Sequence, residues 1–273
     1  MQWFEVLVLS LIQGLTEFLP ISSSAHLLLI PLFTQWQDQG LAFDIALHFG
    51  SLLAVVTYFR KDIFQLFIAW CKSFNGVHTS NSKLAWSIIL ATIPVGLVGL
   101  LAKSVIEEHL RTGVYMAYSL IVFGLLLGWA DWRYAQAQKR QVKPVLTDEH
   151  SMTNRQVLII ALSQVLALIP GTSRSGITMT AGLMTGMTRE ASARFSFLLS
   201  IPVIALAAGL QTIELQAQPT ETALFPLIVG TGLSAISAYA CIHWFLALIK
   251  KYGLQPFVWY RLLLGGYLLY LYY

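Results

Sequence analysis

The sequence predicts an all-α polytopic membrane protein with an inverted-topology repeat, in which each half holds one re-entrant helical hairpin and three transmembrane helices. Three observations lead to this prediction. First, 56% of the 273 residues are hydrophobic and 11% are charged, and the mean hydropathy is +0.67, a composition that excludes a soluble domain of this size. Second, two related polar segments interrupt the apolar sequence, at 13–27 and 163–177. Third, Lys and Arg are concentrated in alternate loops, which sets the orientation of the helices.

The two polar segments read QGLTEFLPISSSAHL and SQVLALIPGTSRSGI. Counted from their central prolines, the matching residues are Pro20 with Pro170, Ser22 with Thr172, and Ser23 with Ser173. Where the first segment carries Glu17 and His26, the second carries Arg174. Ionisable residues inside a membrane are costly and usually mark a functional site. One segment therefore offers an acid and a base, and the other offers a fixed positive charge.

Each polar segment predicts a break between two half-helices. Residues 3–12 are apolar, but they provide only about half of the roughly 20 residues that a membrane-spanning helix needs. Pro20 disfavours helix at the residue before it. A new helix can then be capped by one of three serines, Ser22, Ser23 or Ser24.

Apolar runs elsewhere predict six full-length spans, at about 43–59, 84–102, 114–132, 195–211, 223–243 and 256–273. The polar, basic residues 133–155 predict a cytoplasmic linker inside a single integral membrane domain. This linker separates repeat 1, about 1–133, from repeat 2, about 156–273.

Basic residues predict the topology. Thirteen of the seventeen Lys and Arg residues fall in loops on one side of the predicted helices, and the positive-inside rule makes that side cytoplasmic. Arg155 and Arg189 flank the second broken segment on this same side, so that segment must enter the membrane and return. By the repeat, residues 1–34 form a second hairpin, which enters from the outside. Three spans in each half are an odd number, so the two halves have opposite orientations.

Two hairpins that enter from opposite faces meet near the middle of the membrane. The helices that begin near Ser22 and Thr172 would both direct their N-termini at this meeting point, and such helix ends bind anions. Arg174 adds a side chain that can grip two phosphate oxygens at once. An alternative interpretation is that hydroxyl groups, those of Ser22, Ser24, Thr172 and Thr178 among them, only join helices to one another.

Ser23 and His26 are three residues apart and share one face of a helix. A hydroxyl beside an imidazole, with Glu17 to assist, is the smallest arrangement typical of nucleophilic catalysis. His26 is the alternative nucleophile, with Ser23 then binding phosphate, and spacing does not separate the two. With Arg174 stabilising the phosphoryl oxygens, the set predicts hydrolysis of a phosphate ester or anhydride. A lipid flippase or anion transporter using the same cavity is the alternative, since inverted repeats are typical of transporters. The net charge of +4 belongs to the loops and indicates no nucleic-acid partner.

These segments, together with FSFLLSIP at 195–202, resemble the signature regions of the undecaprenyl-diphosphate phosphatase family, also called bacitracin-resistance proteins. The resemblance covers essentially the whole chain. It implies a multi-pass enzyme of the bacterial inner membrane whose active site opens to the periplasm. It also implies a long-chain isoprenyl diphosphate lipid as substrate, undecaprenyl diphosphate, which is hydrolysed to undecaprenyl phosphate and inorganic phosphate. The product is the carrier lipid for peptidoglycan and other envelope polymers, and its recycling confers bacitracin resistance.

The resemblance also implies roles for individual residues. Those expected in catalysis are Glu17, Ser23, His26 and Arg174, and those expected to bind the phosphates are Gln13, Ser22, Ser24, Thr172, Ser173, Ser175 and Thr178. Many members of the family have a second glutamate where this chain has Gln13, so Glu17 must carry the acid–base work here. The family is associated with a divalent cation. Gln13, Glu17 and His26 are a weak ligand set, so we expect no protein metal site, and a Mg²⁺ or Ca²⁺ ion held mainly by the substrate phosphates.

Three other features have simpler interpretations. His48, one turn after Asp44, either lines the cavity or makes a buried helix–helix hydrogen bond. Arg261, near the cytoplasmic start of the last span, is expected to extend its charge to the membrane surface. Small residues in a late span suggest close helix packing, with a homodimer interface as one place for it; they are Gly230, Gly232, Ser234 and Ala235.

Overall fold

The structure is a computed structural model that describes residues 2–34, 36, 40–110, 112–139, 147–217 and 223–272. Within these ranges the chain is helical, and its only bridge of β type is an isolated one between Thr147 and Met187. The α-helices are α1 (Trp3–Phe18), α2 (Ser23–Thr34), α3 (Leu41–Tyr58), α4 (Arg60–Ser73), α5 (Ser80–Leu101), α6 (Lys103–His109), α7 (Gly113–Lys139), α8 (Asn154–Val165), α9 (Arg174–Met184), α10 (Arg189–Ala217), α11 (Leu224–Tyr252) and α12 (Gln255–Tyr272).

Five of these helices, α3, α5, α7, α10 and α11, are long and apolar enough to cross a membrane. They coincide with five of the six predicted spans, and they confirm an all-helical, multi-pass membrane protein. The sixth predicted span is α12, which lies outside this set. Its hydropathy is lowered by Gln255, Arg261 and several tyrosines.

Three segments differ from the loops and linker expected between the predicted spans. Residues 60–83, between the first two spans, contain α4, which packs on α5, and residues 103–113, between the next two, contain α6. The predicted linker at 133–155 is partly helical, since α7 continues to Lys139 and α8 begins at Asn154. Residues 140–146 of that linker lie outside the described residues.

Both predicted helix breaks are present. The first lies between Phe18, where α1 ends, and Ser23, where α2 begins. The second follows a 3₁₀-helix (Leu166–Leu168) that extends α8, and it ends where α9 begins at Arg174. Ser22 and Ser173 immediately precede the new helices, and they are the non-glycine residues of the described chain with positive φ, at 73° and 69°.

Backbone geometry corrects the sequence alignment by one residue. Ser22 corresponds to Ser173 and not to Thr172, because the second break has one residue more than the first. Ser23 therefore corresponds to Arg174 as the first residue of its helix. Positive φ costs a non-glycine residue on the order of 1–3 kcal/mol, so the surrounding packing must hold both turns in place.

Close helix packing around α11 brings α1 and α3 into the core. A Cβ atom on Gly14 would lie 2.5 Å from the carbonyl oxygen of Ser234, which only glycine permits. Gly230 lies against Phe43, and Ser234 donates a hydrogen bond to the carbonyl oxygen of Leu47 at 2.8 Å. Two of the four small residues of α11 thus pack inside the chain, and the homodimer stays a prediction.

Candidate active site

A cavity of about 250 Å³ opens where the two helix breaks meet. One wall is apolar and belongs to α10, with Val203, Ile204 and Ala207. The polar side chains that line it are those of Glu17, Ser22, Ser23, Ser24, His48, Ser173 and Arg174. A second cavity of about 280 Å³, between α4, α5 and α10, is lined by aliphatic and aromatic side chains without a charged group. The chemistry-bearing residues therefore belong to the first cavity.

An ion pair joins the two polar segments. Arg174 Nη2 donates to Glu17 Oε1 at 3.1 Å, and Arg174 Nη1 donates to the carbonyl oxygen of Ser196 at 3.1 Å. The two side chains are only 12% and 8% exposed. A pair buried to this degree must be kept intact, because an unpaired charge at that depth is strongly destabilising. The guanidinium and the carboxylate thus fix each other at the cavity wall.

The other carboxylate oxygen of Glu17 accepts two further hydrogen bonds. Ser23 Oγ donates to Oε2 at 2.8 Å, and Gln13 Nε2 donates to the same oxygen at 3.1 Å. Gln13 is one helical turn before Glu17 on α1, so their contact follows from the sequence. The Gln13 side-chain oxygen, Oε1, is buried without a hydrogen-bond partner among the described residues. The serine hydroxyl is the member of this group that faces both the carboxylate and the cavity.

His48 supplies the imidazole of the cavity. Its Nε2 lies 3.9 Å from Glu17 Oε2. Its Nδ1 is 2.8 Å from the carbonyl oxygen of Asp44, which can only accept, so Nδ1 carries the hydrogen and the neutral ring leaves Nε2 unprotonated. Of the two interpretations from sequence, the structure supports the first, since His48 lines the cavity. Its Nδ1 hydrogen bond stays within α3 and does not join two helices.

His26 points elsewhere. Its Nδ1 donates to the carbonyl oxygen of Ser22 at 2.7 Å, and its Nε2 accepts from the hydroxyl of Tyr260 at 2.6 Å. The two rings are stacked, with centroids 5.5 Å apart, and His26 is absent from the cavity lining. The structure thus joins Ser23 to Glu17, while His26 is joined to α12 through Tyr260, a partner that the sequence did not suggest.

Hydroxyl groups of the second segment mostly make structural hydrogen bonds within or between helices. Ser173 caps α9 by accepting from the backbone N–H of Gly176 at 3.2 Å. Ser175 Oγ donates to the carbonyl oxygen of Leu19 at 2.9 Å, across the two breaks. Thr178 Oγ1 donates to Ser196 Oγ at 2.8 Å. The helix-joining interpretation therefore describes Ser175 and Thr178 well.

Thr172 and Ser24 differ from these residues. Thr172 is fully buried, and its Oγ1 has no hydrogen-bond partner among the described residues. Ser24 is exposed at the cavity and pairs with Ser22 through their hydroxyl oxygens at 3.0 Å. Of the residues expected to bind phosphate, Ser22, Ser24 and Ser173 line the cavity, while the others are not among its lining residues: Gln13, Thr172, Ser175 and Thr178.

The prediction for Arg261 is wrong. Its side chain is 0% exposed and reaches inward from α12. It donates to four backbone carbonyls, at 3.1 Å to Pro20, 3.1 Å to Gly171, 3.2 Å to Leu120 and 3.4 Å to Ser119. The two breaks free carbonyl groups that no helix satisfies, and a guanidinium has five N–H groups to offer them. The sequence offered one signal for this residue, an arginine inside the apolar run WYRLLL. Local hydropathy alone assigns such an arginine to the membrane surface.

The donor atoms do not fit a metal ion held by the protein. Glu17 is the carboxylate of the cavity lining, and both of its oxygens already accept hydrogen bonds. Among the described residues, no group of three His, Cys, Asp or Glu side chains is placed to hold a metal. Cation binding by substrate phosphates stays a prediction.

Five membrane-spanning helices and a buried carboxylate–serine–arginine cluster define the class, a multi-pass membrane protein with a polar site between two broken helices. Residues 6–267 match the family model described as "Bacitracin resistance protein BacA". The chain belongs to this family, which confirms the resemblance carried by the motifs.

Relatives match over the full length of the chain. A protein of Hahella chejuensis named "Undecaprenyl-diphosphatase" is 53% identical over 274 residues, covering 100% of this chain and 99% of the relative. One of Nitrosococcus oceani with the same name is 50% identical over 273 residues, covering 100% of both. "Undecaprenyl-diphosphatase 2" of Stutzerimonas stutzeri is 50% identical over 273 residues, covering 100% of this chain and 99% of the relative.

Proposed function

We propose that the chain hydrolyses undecaprenyl diphosphate to undecaprenyl phosphate and inorganic phosphate. The observation that carries this proposal is the cluster of Ser23, Glu17 and Arg174 at one cavity wall. The names of the relatives support the lipid diphosphate as substrate. The reaction returns the carrier lipid to peptidoglycan and envelope polymer synthesis, and it confers resistance to bacitracin.

The first step is attack of Ser23 Oγ on the terminal phosphorus. A new Oγ–P bond forms, and the bond from phosphorus to the bridging oxygen breaks, with its electron pair leaving on undecaprenyl phosphate. The Ser23 proton passes to Glu17 Oε2, 2.8 Å away, which acts as the general base. Arg174 and the N–H groups at the starts of α2 and α9 stabilise the charge on the phosphoryl oxygens.

Ser23 is the better nucleophile of the two that the sequence left open. Its hydroxyl lies in the cavity and touches the carboxylate. Both ring nitrogens of His26 are engaged, by Ser22 and Tyr260. A phosphohistidine at His26 would require that the Tyr260 contact break and the ring turn into the cavity. We therefore assign His26 to hold the second half-helix against α12.

A divalent cation, Mg²⁺ or Ca²⁺, would be carried mainly by the two phosphates of the substrate. The one carboxylate of the cavity lining is occupied by Ser23, Gln13 and Arg174. A cation held by substrate oxygens suits such a site, because Mg²⁺ commonly binds through phosphates with few protein ligands.

Helix contacts support the inverted repeat with halves of about 1–133 and 156–273. Exchange of the two halves maps α1 onto α8, α3 onto α10, α5 onto α11, and α7 onto α12. Accordingly α1 packs on α11 as α8 packs on α5, and α3 packs on α11 as α10 packs on α5. The pairs α3–α10 and α7–α12 map onto themselves, and both are in contact. We propose that the two broken segments are the re-entrant hairpins of this repeat, and that the cavity opens to the periplasm of a bacterial inner membrane.

Phosphate release from undecaprenyl diphosphate by purified protein in detergent tests the function. We expect Ser23→Ala to lower turnover by on the order of 10³-fold or more, as loss of a nucleophile does. Ser163→Ala is the matched control, because its hydroxyl only donates to the carbonyl oxygen of Ile160 outside the cavity. Lipid movement across a sealed vesicle without phosphate release would favour the flippase or anion transporter instead.

A further inference from the structure

Hydrolysis through Ser23 needs two proton-transfer groups, and the structure offers a second one beside Glu17. In the first step Glu17 takes the proton of Ser23. In the second step water attacks the phosphoserine, and the departing Ser23 oxygen must receive a proton again. Glu17, still 2.8 Å from that oxygen, is placed to return it. While it holds this proton it cannot also accept one from the attacking water, so a separate base is required.

We propose that His48 is this base, a further catalytic residue that accepts a proton from the hydrolytic water; the inference rests on the proposed function. His48 lines the same cavity as Ser23 and Arg174. Its Nε2 is 3.9 Å from the carboxylate oxygen that Ser23 contacts. That distance is too long for a direct hydrogen bond, and no side chain of the described residues hydrogen bonds to this nitrogen. The lone pair of Nε2 is thus available to a water molecule in the cavity.

The backbone fixes the tautomer that this role needs. The hydrogen of the neutral ring is on Nδ1, where the carbonyl oxygen of Asp44 accepts it at 2.8 Å. A ring held in this way presents Nε2 as an acceptor, because each neutral imidazole has one donor and one acceptor nitrogen. The acceptor of this hydrogen bond is one turn earlier on α3, and the bond restrains the ring in the orientation that faces Glu17 of α1 and the cavity.

Other polar groups near the cavity cannot replace it. Arg174 remains protonated and has no lone pair to offer. Gln13 is an amide, which is not a base at neutral pH. His26 is engaged by Tyr260 and lies outside the cavity lining. Glu17 and His48 are therefore the two proton acceptors among the described residues that line the cavity.

In the second step water hydrolyses the phosphoserine. A water oxygen bonds to the phosphorus of phospho-Ser23, and one water proton passes to His48 Nε2. The bond from phosphorus to Ser23 Oγ breaks, its electron pair stays on Oγ, and Glu17 gives its proton to that oxygen. Inorganic phosphate leaves, and His48 releases its extra proton to solvent. Serine, carboxylate and neutral imidazole are all restored.

Rapid-quench kinetics with undecaprenyl diphosphate labelled in the terminal phosphate tests the proposal. In His48→Gln we expect a burst of undecaprenyl phosphate equal to the enzyme present, with label retained on the protein. Steady-state phosphate release should fall by roughly 10²–10⁴-fold, the usual contribution of a general base. The double variant Ser23→Ala/His48→Gln should retain no label. Added imidazole should accelerate phosphate release by His48→Ala, which a purely structural role would not allow.

His243→Gln is the matched control, since His243 packs near Tyr58 and not at the cavity, and it should behave as wild type. His48→Gln that elutes as a monodisperse protein and keeps wild-type phosphate release would overturn the role of His48. So would an equal slowing of both products without labelled protein. In either case phosphate release by the wild type would leave the proposed function standing. A wild type that releases no phosphate overturns the function, and this inference with it.

Discussion

Replacing Arg174 with lysine tests whether the guanidinium acts on the substrate. Its two terminal nitrogens make separate contacts, to Glu17 and to the carbonyl oxygen of Ser196. A lysine ammonium is a single point charge and cannot occupy both positions. It can still neutralise Glu17, so the buried carboxylate is not left unpaired and the protein should fold.

Activity should fall sharply in Arg174→Lys. Loss of one positioned charge-assisted contact in a site shielded from water costs about 3–4 kcal/mol of transition-state stabilisation, or roughly 10²–10³ in rate. The low exposure of Arg174, 12% of its side chain, places it in this range and not in that of a surface charge. Arg174→Ala should lose more and should also fold poorly, because an unpaired buried charge costs about 3–5 kcal/mol.

The assay is phosphate release at saturating undecaprenyl diphosphate, beside the elution profile of the protein in detergent. Arg133→Lys serves as the control, because Arg133 is exposed and lies over the ring of Trp129. Near wild-type turnover in Arg174→Lys would refute the assignment and would make Arg174 a structural residue that only neutralises Glu17.

Substitutions of Gln13, Arg261 and Ser24 test three other features of the site and its orientation. Gln13→Glu removes a donor to Glu17 and adds a like charge one turn away, so we expect KM to rise several-fold with a smaller change in kcat; a shifted pH–rate profile at constant KM would contradict this. Arg261→Met leaves buried carbonyls of both breaks without donors, and unsatisfied groups cost about 1–3 kcal/mol each, so the melting temperature should drop. An unchanged melting temperature would show that the fold does not depend on these hydrogen bonds of Arg261. Ser24→Cys, in a background without native cysteines, should react with an impermeant thiol reagent outside intact cells; labelling only in inverted vesicles would reverse the orientation.

The positions of the long apolar helices and of both breaks could be predicted from sequence, because they depend on local features, whereas α4 and α6 lie between predicted spans and were missed. Long apolar runs define α3, α5, α7, α10 and α11. The prolines and serines of the two polar segments end one helix and begin the next within a few residues. Even there, one additional residue in the second break moves the correspondence, so that Ser173 and not Thr172 precedes the new helix. The matching residues of the two breaks are identified by their backbone dihedral angles, which cannot be read from residue spacing in the sequence.

The sequence also determined which residue types the polar segments at the two helix breaks would carry. Which of them meet was decided by the tertiary structure alone. Glu17 and Arg174 are 157 residues apart and are joined by the packing of two breaks. His26, three residues from Ser23, contacts Tyr260, while His48 reaches the cavity from another helix.

Arg261 gives the clearest case. Its neighbours in sequence indicate a side chain at the membrane surface, yet it is buried against carbonyls of three distant segments. Periodicity, capping and hydropathy report on a few turns of one helix. Contacts between helices depend on how each helix is rotated and on which backbone groups its partners leave unsatisfied, and those facts exist only once the chain has folded.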